Sequence, residues 1–376
     1  MITDIEIEGF KSFEKIRLKL GSFNLFIGAN ASGKSNFIDA LRVLQGIAYG
    51  FTVDEVFNGK PKGGGSESWE GIRGGAWFAY FERRDDLPQG AVGFRVGGVG
   101  QGQNFRYSVD MAPSLGQIVS EKIEIGSSEP LWGTSLLERP TSQSVLVRNG
   151  GGEQSEMARE LIRALGNMQH LAPVAPLLRA YSQTRLAQRM GERGENFAAV
   201  VQSIVQDEGL RSAYLSWLTR LTPMELDDVM VLEGAVKEPL FALREGNWQL
   251  PAPILSDGTL HFAAITAAFF QPDMPAIITL EEIENGIHPS RLRLLLELLK
   301  SQSGNSGPQV FATTHSPVVL AWLEEGDYET TFLFRKDEAT GASIVTPLSE
   351  IPRLIELVRR RSLGELFMEG WLEDVF

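Results

Sequence analysis

A glycine-rich octapeptide near the N-terminus carries the clearest chemical signal in the sequence. The segment GANASGKS matches the pattern GxxxxGK[ST] and consists of Gly28, Ala29, Asn30, Ala31, Ser32, Gly33, Lys34 and Ser35, with Asn36 next. Its glycines allow main-chain N–H groups to wrap around phosphate groups without clashes from a Cβ atom, while Lys34 reaches the β- and γ-phosphates and Ser35 binds Mg²⁺. A strand-to-helix turn with an incidental lysine is the alternative. The apolar strand before the segment and the amphipathic helix after it favour a nucleotide-binding phosphate loop (residues 28–35).

Two adjacent acids supply the carboxylates that nucleotide hydrolysis needs. Glu281 and Glu282 follow the short apolar run AIITL, at the carboxyl end of what the pattern predicts to be a parallel strand. Glu281 is suited to complete the Mg²⁺ shell, and Glu282 is suited to orient and deprotonate the attacking water. The alternative is a solvated strand end with two acids, and the phosphate loop in the same chain makes that alternative weaker.

Two further signals lie in the same half of the sequence. In VFATTHSP another apolar strand ends in polar residues, which present His315 where it can donate a hydrogen bond to a γ-phosphate. The alternative there is a turn that starts a helix at Pro317. In LSDGT, the signature segment (residues 255–259), Ser256, Asp257 and Gly258 precede a predicted helix whose N-terminus forms a second site for an anion. Such helix caps are common, so this segment gains weight only from its position before the acidic pair.

The elements that must hold these residues can be predicted from hydrophobic periodicity. Alternating apolar residues predict three short strands between residues 5 and 27, and a helix follows from about Lys34. An all-β lobe is predicted next, with strands at residues 77–81, 91–96, 105–109, 118–125 and 144–147. Residues 151–222 have the composition and spacing of a helical lobe, and a hairpin turning at residues 245–247 follows. Beyond Pro253 helices alternate with strands, which predicts a parallel sheet and an α/β class.

Composition sets the class of protein. The chain has 376 residues, 43% hydrophobic and 22% charged, which suits a folded protein of two or three lobes with a sizeable core. It has no cysteine, which excludes disulfide scaffolds and zinc ribbons and fits a reducing cytosol. We find no targeting signal and no apolar stretch long enough to span a bilayer, so we expect a cytoplasmic protein with no membrane association. The net charge of −13 argues against a surface built for nonspecific DNA binding.

The order of the four motifs resembles that of ABC-type ATPases. The phosphate loop, LSDGT, LEEIENGIHP and TTHSP look like the Walker A, signature, Walker B with D-loop, and switch-histidine motifs of that group. The opening IEIEGFKSFEKIRLKL and the tail LGELF are similar to those of its RecF, SMC and OLD (overcoming lysogenization defect) branch, among the short members without coiled-coil arms. The resemblance implies a P-loop NTPase ABC-type head with an antiparallel β-lobe and an inserted helical lobe. The head would comprise residues 1–150 and 229–376, and the helical lobe residues 151–228.

The resemblance also implies how the chain uses ATP. Proteins of this kind form a head-to-tail homodimer that sandwiches two ATP molecules, each bound by the Walker A motif of one chain and by Ser256 and Gly258 of the other, with Asn285 between the sites. ATP then holds the dimer together and hydrolysis releases it. This sequence departs from the common pattern in having Glu281 where aspartate is usual and Asp257 where glycine is common, departures compatible with slow turnover. Four glutamines lie in loops that suit the Q-loop and none stands out: Gln89, Gln101, Gln103 and Gln117.

Two biological roles are compatible with such a switch. In one, the ATPase is a regulatory subunit that controls a separate effector protein, as in bacterial anti-phage defence. In the other, it binds DNA in repair or genome maintenance, as RecF- and SMC-like proteins do. Arg185, Arg189 and Arg193 fall at helical spacing and could contact a nucleic-acid backbone, although a solvated face paired with Glu192 and Glu195 is the better explanation. Without a coiled-coil arm, zinc motif or basic stripe, the sequence favours the partner-protein role.

Overall fold

The computed structural model describes residues 1–61, 69–81, 90–100, 103–125, 132–134, 140–148, 155–183, 186–221, 225–304 and 307–374. The chain divides into two compact units. Unit 1 comprises Met1–Met168 and Gly326–Leu354, and unit 2 comprises Gln169–Glu325 and Ile355–Phe376. The lobe boundaries predicted at residues 150 and 228 stay predictions.

Both units combine strands with helices. The strands in chain order are β1 (Ile2–Phe10), β2 (Phe13–Lys19), β3 (Phe23–Ile27), β4 (Val92–Gly100), β5 (Gln103–Ala112), β6 (Gln117–Ile125), β7 (Trp132–Thr134), β8 (Met168–Leu171), β9 (Asp228–Glu233), β10 (Pro239–Glu245), β11 (Trp248–Pro251), β12 (Ile277–Leu280), β13 (Gln309–Thr314), β14 (Thr331–Lys336) and β15 (Ser343–Pro347). The α-helices are α1 (Lys34–Ala48), α2 (Val53–Asn58), α3 (Val145–Arg148), α4 (Ser155–Gly166), α5 (Ala175–Leu178), α6 (Phe197–Gln206), α7 (Glu208–Leu221), α8 (Asp257–Ala268), α9 (Leu292–Gln302), α10 (Pro317–Ala321), α11 (Leu354–Val358), α12 (Leu363–Met368) and α13 (Trp371–Asp374).

Unit 1 contains the antiparallel β-lobe, a sheet with the strand order β2-β1-β4-β5-β6-β7. Ile5 on β1 pairs with Leu18 on β2 and with Val96 on β4, and all three side chains are buried. The period-two alternation of the sequence therefore places one face of these strands on the core, because successive side chains of a strand point to opposite faces.

Three more strands of unit 1 lie side by side, and one of them, β3, leads into the phosphate loop. Their order is β15-β14-β3, with β3 parallel to β14 and β14 antiparallel to β15. Every residue of β3 is buried, including the polar Asn24. The ring of Phe26 on β3 packs edge-on against Phe37 of α1, with centroids 4.6 Å apart, and against Phe334 of β14, at 5.2 Å. These contacts anchor the start of α1 beside the end of β3.

Unit 2 contains the strand order β13-β12-β8, in which β12 and β13 are parallel, and a separate antiparallel sheet ordered β11-β10-β9. Helix α8 is apolar on all sides and buried along its length after Gly258, apart from the half-buried His261. Such a helix belongs in a protein interior. The alternation α8, β12, α9, β13, α10 confirms the α/β pattern predicted beyond Pro253. The antiparallel pair β10 and β11 is the hairpin predicted to turn at residues 245–247.

Two of the predicted strands are wrong. Residues 144–147 contribute to helix α3, because the Glu121 carboxylate accepts hydrogen bonds from the Ser144 hydroxyl (2.5 Å) and the Val145 N–H (2.7 Å) and so caps the turn. Residues 77–81 begin in a 3₁₀ turn, Ala76–Phe78, whose first N–H donates to the Asn58 side chain. In both cases a polar side chain distant in sequence bonds the start of the turn and overrides the β-propensity of the run. Strand β8, inside the predicted helical lobe, was not predicted. In the described ranges no helix is both long and apolar enough to cross a membrane.

Candidate functional site

The phosphate loop of unit 1 closes around its own lysine. Lys34, 8% exposed, donates from Nζ to the carbonyl oxygens of Gly28 (2.7 Å) and Ala29 (2.8 Å). Gly28 has φ +142°, and a Cβ there would lie 2.1 Å from the carbonyl oxygen of Phe334, so only glycine fits. The loop therefore has the narrow main-chain cradle that its sequence pattern predicts.

The remaining polar groups of the loop suit an anion. The Ser343 hydroxyl donates to the carbonyl of Ser32 (2.6 Å) and lies 2.7 Å from the Ser12 hydroxyl, which also accepts from the Asn36 amide (2.7 Å). Ser32 is buried, and its own hydroxyl has no hydrogen-bond partner among the residues that the structure describes. Helix α1 begins after Gly33 without a side-chain cap. An unsatisfied hydroxyl beside uncapped N–H groups and a helix dipole fits a phosphate.

Two basic residues beside the loop were missed in the sequence. Asp39, buried on α1, accepts from Lys11 Nζ (2.5 Å) and from Arg73 Nη2 (2.9 Å), and Arg73 also donates to the carbonyl of Ser35 (2.8 Å). Burial lowers the pKa of Lys11, an effect that Asp39 opposes and the Arg73 charge reinforces. The usable signal was Asp39 itself, since an acid on the buried face of a helix requires a cation. The Arg73 side chain is 60% exposed, so its charge remains accessible next to Ser35.

In unit 2 the acidic pair opens a loop that follows β12, here called the acid loop (residues 281–286). The Glu281 N–H donates to the carbonyl of Leu171 (3.4 Å), and the Glu282 N–H donates to the hydroxyl of Thr313 (2.9 Å). Glu282 has φ +51°, a conformation that costs energy for a residue with a Cβ atom. Such strain persists only where the surroundings hold it, and it is concentrated at functional sites. The end of β12 thus presents both acids, while Leu171 on β8 and Thr313 on β13 bond their main-chain N–H groups. Glu282 is exposed and Glu281 is half-buried.

The Glu282 carboxylate is oriented by residues of the same unit. Asn285 donates from its amide to Glu282 Oε2 (2.6 Å), and its main-chain N–H donates to the Glu282 carbonyl (2.9 Å). The carbonyl of Asn285 lies 2.8 Å from Nδ1 of His261 on α8. A carbonyl can only accept, so His261 donates from Nδ1. Two hydrogen bonds therefore connect helix α8 to the carboxylate of Glu282.

His315 follows β13, as the sequence predicts, and contacts the acid loop through a residue that the sequence analysis did not single out. Glu284 Oε1 accepts from the main-chain N–H of His315 (2.8 Å) and lies 3.1 Å from its Nδ1. The Glu284 side chain is 11% exposed and that of His315 is 43% exposed. The acid loop thus contacts both β13 and α8.

The signature segment forms the N-terminus of α8. Ser256 is the N-cap, and its hydroxyl accepts from the Thr259 N–H (3.1 Å). A Cβ on Gly258 would lie 2.3 Å from the carbonyl oxygen of Gly286, so the glycine lets the helix touch the acid loop. Asp257 forms an ion pair with Arg179. Ser256 and Asp257 are exposed, which leaves this helix terminus accessible to a ligand.

A cavity of about 310 Å³ within unit 2 adjoins the acidic pair. Apolar side chains of Leu171, Val174 and Ile265 line one part, and Glu281 and Glu282 line another. Water can therefore reach the Glu282 carboxylate. No group of three or more acidic or histidine side chains suited to hold a metal occurs in the described part of the chain. Mg²⁺ in nucleotide sites takes few protein ligands and draws others from phosphate and water. The Ser35 hydroxyl of unit 1 and the Glu281 carboxylate of unit 2 are each a ligand of the kind that it takes.

Each unit therefore holds one part of the predicted site. Unit 1 contains the phosphate loop and Asn36. Unit 2 brings together the signature segment, the acid loop and His315 through the contacts of Gly258, His261 and Glu284. Of the four glutamines considered for the Q-loop, Gln103 and Gln117 lie in the antiparallel β-lobe, while Gln89 and Gln101 lie outside the described residues.

The arginine series predicted at helical spacing does not form a helical face in the described residues. Arg185 lies outside them, and residues 186–196 have no helix. Arg189 forms an ion pair with Asp273. In the described part of this segment the arginines therefore do not form the helical row that their spacing predicted.

Comparison with known proteins agrees with these features. Residues 23–144 and 236–321 match the family described as "AAA domain, putative AbiEii toxin, Type IV TA system", and the matched residues include the phosphate loop, the signature segment, the acid loop and His315. An ATP/GTP phosphatase of Helicobacter pylori is 35% identical over 89 residues, which are 22% of this chain and 23% of that protein. The chain therefore matches about a quarter of the length of that curated relative.

Solved structures support the fold. The SMC head bound to the C-winged helix domain of ScpA matches with a TM-score of 0.55 at 15% identity, over 92% of this chain and 96% of that one. The SMC head domain with an extended coiled coil from Pyrococcus furiosus, bound to the C-terminal domain of ScpA, matches with a TM-score of 0.55 at 12% identity, over 96% and 99%. These likenesses confirm the predicted P-loop NTPase ABC-type head with its antiparallel β-lobe. The family match spans more than half of the residues of the chain. The chain therefore belongs to the AAA-domain family of AbiEii type, as a P-loop ATPase with an SMC-like head.

Proposed function

We propose that this ATPase is a dimeric switch in which two ATP molecules are held between two copies of the chain. The observation that carries the proposal is that the chain has two separate helix N-termini of the kind that can bind phosphate, α1 after the phosphate loop and α8 after Ser256. A nucleotide that binds to α1 of one protomer and to α8 of its partner uses both helix termini. The twofold symmetry of the dimer then produces a second, identical site.

Within each site the phosphate loop binds the triphosphate. Main-chain N–H groups of residues 28–36 surround the phosphates, and Lys34 exchanges its carbonyl contacts for the β- and γ-phosphates. Ser35 and Glu281 would hold Mg²⁺, which when bound neutralises charge on the phosphate oxygens. The accessible guanidinium of Arg73, next to Ser35, adds a further positive charge.

Hydrolysis requires a base for the attacking water, and Glu282 is the residue best suited to that role. Its carboxylate is exposed, adjoins a water-accessible cavity and is oriented by Asn285. The carboxylate accepts a proton from water as the water oxygen bonds to the γ-phosphorus and the β–γ bridging bond breaks, which leaves ADP and phosphate. His315 donates a hydrogen bond to the γ-phosphate and so responds to its presence.

The size of the ATP-bound particle tests the dimer. Glu282→Gln should bind Mg-ATP without turning it over, so we expect light scattering to give twice the chain mass with ATP and the chain mass without it. Adding Ser256→Arg should abolish this dimer and leave ATP binding to the monomer intact, because the long cation fills the α8 terminus. Ser349→Arg, at an exposed serine of unit 1, is the matched control. A dimer that persists with Ser256→Arg would contradict the sandwich.

We further propose that the switch controls a separate effector protein. The AbiEii and toxin–antitoxin description of the family supports this role, and so does the net charge of −13. Duplex DNA should therefore leave the ATPase rate unchanged. Stimulation by DNA that falls steeply with rising salt would favour the alternative role in DNA repair or genome maintenance.

A further inference from the structure

The main chain and the ring of His315 both contact one oxygen of a buried acid. Glu284 Oε1 accepts from the His315 N–H at 2.8 Å and lies 3.1 Å from Nδ1. These contacts link the end of β13 to the acid loop after β12. They hold the histidine by its backbone and its side chain at once, which restricts both the position and the rotation of the ring.

The burial of Glu284 indicates that its role is not simply to stabilise the fold. Its side chain is 11% exposed, and its second oxygen, Oε2, is buried with no hydrogen-bond partner in the ranges that the structure covers. A buried carboxylate with an unsatisfied oxygen is costly, and a residue retained for packing would satisfy both oxygens or be apolar. Both described contacts of its side chain, the hydrogen bond from the His315 N–H and the approach of Nδ1, are with His315.

The chemistry of the pair follows from what each atom can do. A carboxylate oxygen accepts hydrogen bonds, so Nδ1 of His315 must carry the proton in this contact. The opposite nitrogen, Nε2, is then the one available to a ligand. For the ring to donate from Nε2 to a γ-phosphate it must carry a proton on that nitrogen as well, with Nδ1 still donating to Glu284.

We propose that Glu284 is the positioning residue of His315: through the Oε1 contacts it sets the tautomer and the orientation of the ring that meets the γ-phosphate. This inference rests on the role proposed above for His315. It assigns the third acid of LEEIENG a function distinct from those of Glu281 and Glu282.

Two substitutions separate positioning from packing. Glu284→Leu keeps the approximate size and removes both acceptor contacts, so we expect kcat to fall about tenfold while the affinity for ATP stays within about threefold. Glu284→Gln keeps a carbonyl oxygen that can accept from the same two N–H groups, so kcat should stay within about threefold of the wild type. Equal losses for Leu and Gln would overturn the inference.

A double-mutant cycle with His315→Ala tests whether Glu284 acts through the histidine. His315→Ala should lower kcat, and adding Glu284→Leu should lower it no further. A further loss in the double mutant, or an unchanged kcat for Glu284→Leu alone, would overturn the inference while the role of His315 stands. An unchanged kcat for His315→Ala would instead remove the role of His315 and the inference with it.

Nitrogen-15 NMR of the wild-type imidazoles tests the same point if Glu284→Leu fails to fold. The chain has four histidines, so the His315 signals can be assigned by substitution. We expect the neutral His315 ring to carry its proton on Nδ1. A ring protonated on Nε2 would overturn the inference.

Discussion

The phosphate loop of unit 1 and the acid loop of unit 2 both follow a buried strand, but they are held in different ways. The phosphate loop is closed by its own lysine: Lys34, six residues after Gly28, bonds the carbonyls of Gly28 and Ala29. Side chains of Ser343 and Arg73, also in unit 1, add bonds to the carbonyls of Ser32 and Ser35. The acid loop is held by side chains from other elements, since Thr313 on β13 bonds the Glu282 N–H and His261 on α8 bonds the Asn285 carbonyl.

We expect this difference to divide the work of the protein, with phosphate binding in unit 1 and ATP hydrolysis in unit 2. A loop closed by its own lysine and by neighbours in unit 1 holds its main-chain N–H groups for phosphate through contacts within that unit alone. A loop held by β13 and α8 presents its carboxylates only when those elements are in place, and α8 also carries Ser256. We infer that substitutions in unit 1 affect ATP affinity most, and that substitutions in unit 2 affect turnover and dimerisation.

The largest effect is expected at the base. Glu282→Gln removes the proton acceptor and keeps the shape of the side chain, so kcat should fall by about 10²–10⁴-fold. The affinity for ATP, measured by calorimetry, should stay within about threefold because the phosphate loop is unchanged. Hydrolysis at the wild-type rate would show that another residue is the base.

The complementary change in unit 1 is Lys34→Ala. It removes charge-assisted hydrogen bonds to two phosphates, each worth about 1.5 kcal/mol, so the affinity for ATP should fall about 100-fold. Fluorescent-nucleotide titration measures this loss, and a thermal melt confirms folding. An unchanged affinity would contradict the phosphate-loop assignment.

A smaller effect is expected where α8 touches the acid loop. Gly258→Ala places a Cβ 2.3 Å from the Gly286 carbonyl oxygen, so the helix terminus or the loop must shift. In the Glu282→Gln background we expect ATP-dependent dimerisation, followed by sedimentation, to weaken about tenfold. Gly326→Ala is the control, because its Cβ would meet nothing within 4 Å. If Gly258→Ala and Gly326→Ala weaken dimerisation equally, the contact of Gly258 with the acid loop has no specific role in dimerisation.

The smallest effect concerns the hydrogen bond between His261 and Asn285. His261→Phe removes the donor and keeps a ring, so kcat should fall about threefold as the Glu282 carboxylate loses orientation. His261→Asn places an amide N–H close to the position of Nδ1 and should restore the rate. Steady-state kinetics at saturating ATP distinguish the two variants, and identical rates for both would show that the hydrogen bond plays no part in turnover.

Much of the fold could be predicted because it depends on local patterns. Alternation predicted β1 to β3, and the apolar strand before the glycine-rich segment was predicted to lead into the phosphate loop. The strand predicted at residues 144–147 failed because Glu121, distant in sequence, caps the turn that starts α3. The secondary-structure propensities of residues 144–147 contain no information about a contact with Glu121.

The same distinction applies to the candidate site. The phosphate loop, the acidic pair and His315 could be named because each is a contiguous motif. The contacts of Lys11 and Arg73 with Asp39, and of Glu284 with His315, join residues that only the fold brings together. For Asp39 the buried face of α1 was an available signal, since burial of a charge requires a partner, whereas no local pattern marks Glu284 as the partner of His315.

Mixing two inactive variants tests most directly whether each site is shared between two chains. Lys34→Ala lacks a working phosphate loop and Ser256→Arg lacks a working signature segment, so each alone should have almost no ATPase activity. In an equimolar mixture half of the dimers pair the two variants, and each such dimer has one site free of both substitutions, so activity should recover to at most about a quarter of the wild-type rate. A mixture no more active than its separate components would contradict the account, because a site built within one chain gains nothing from mixing.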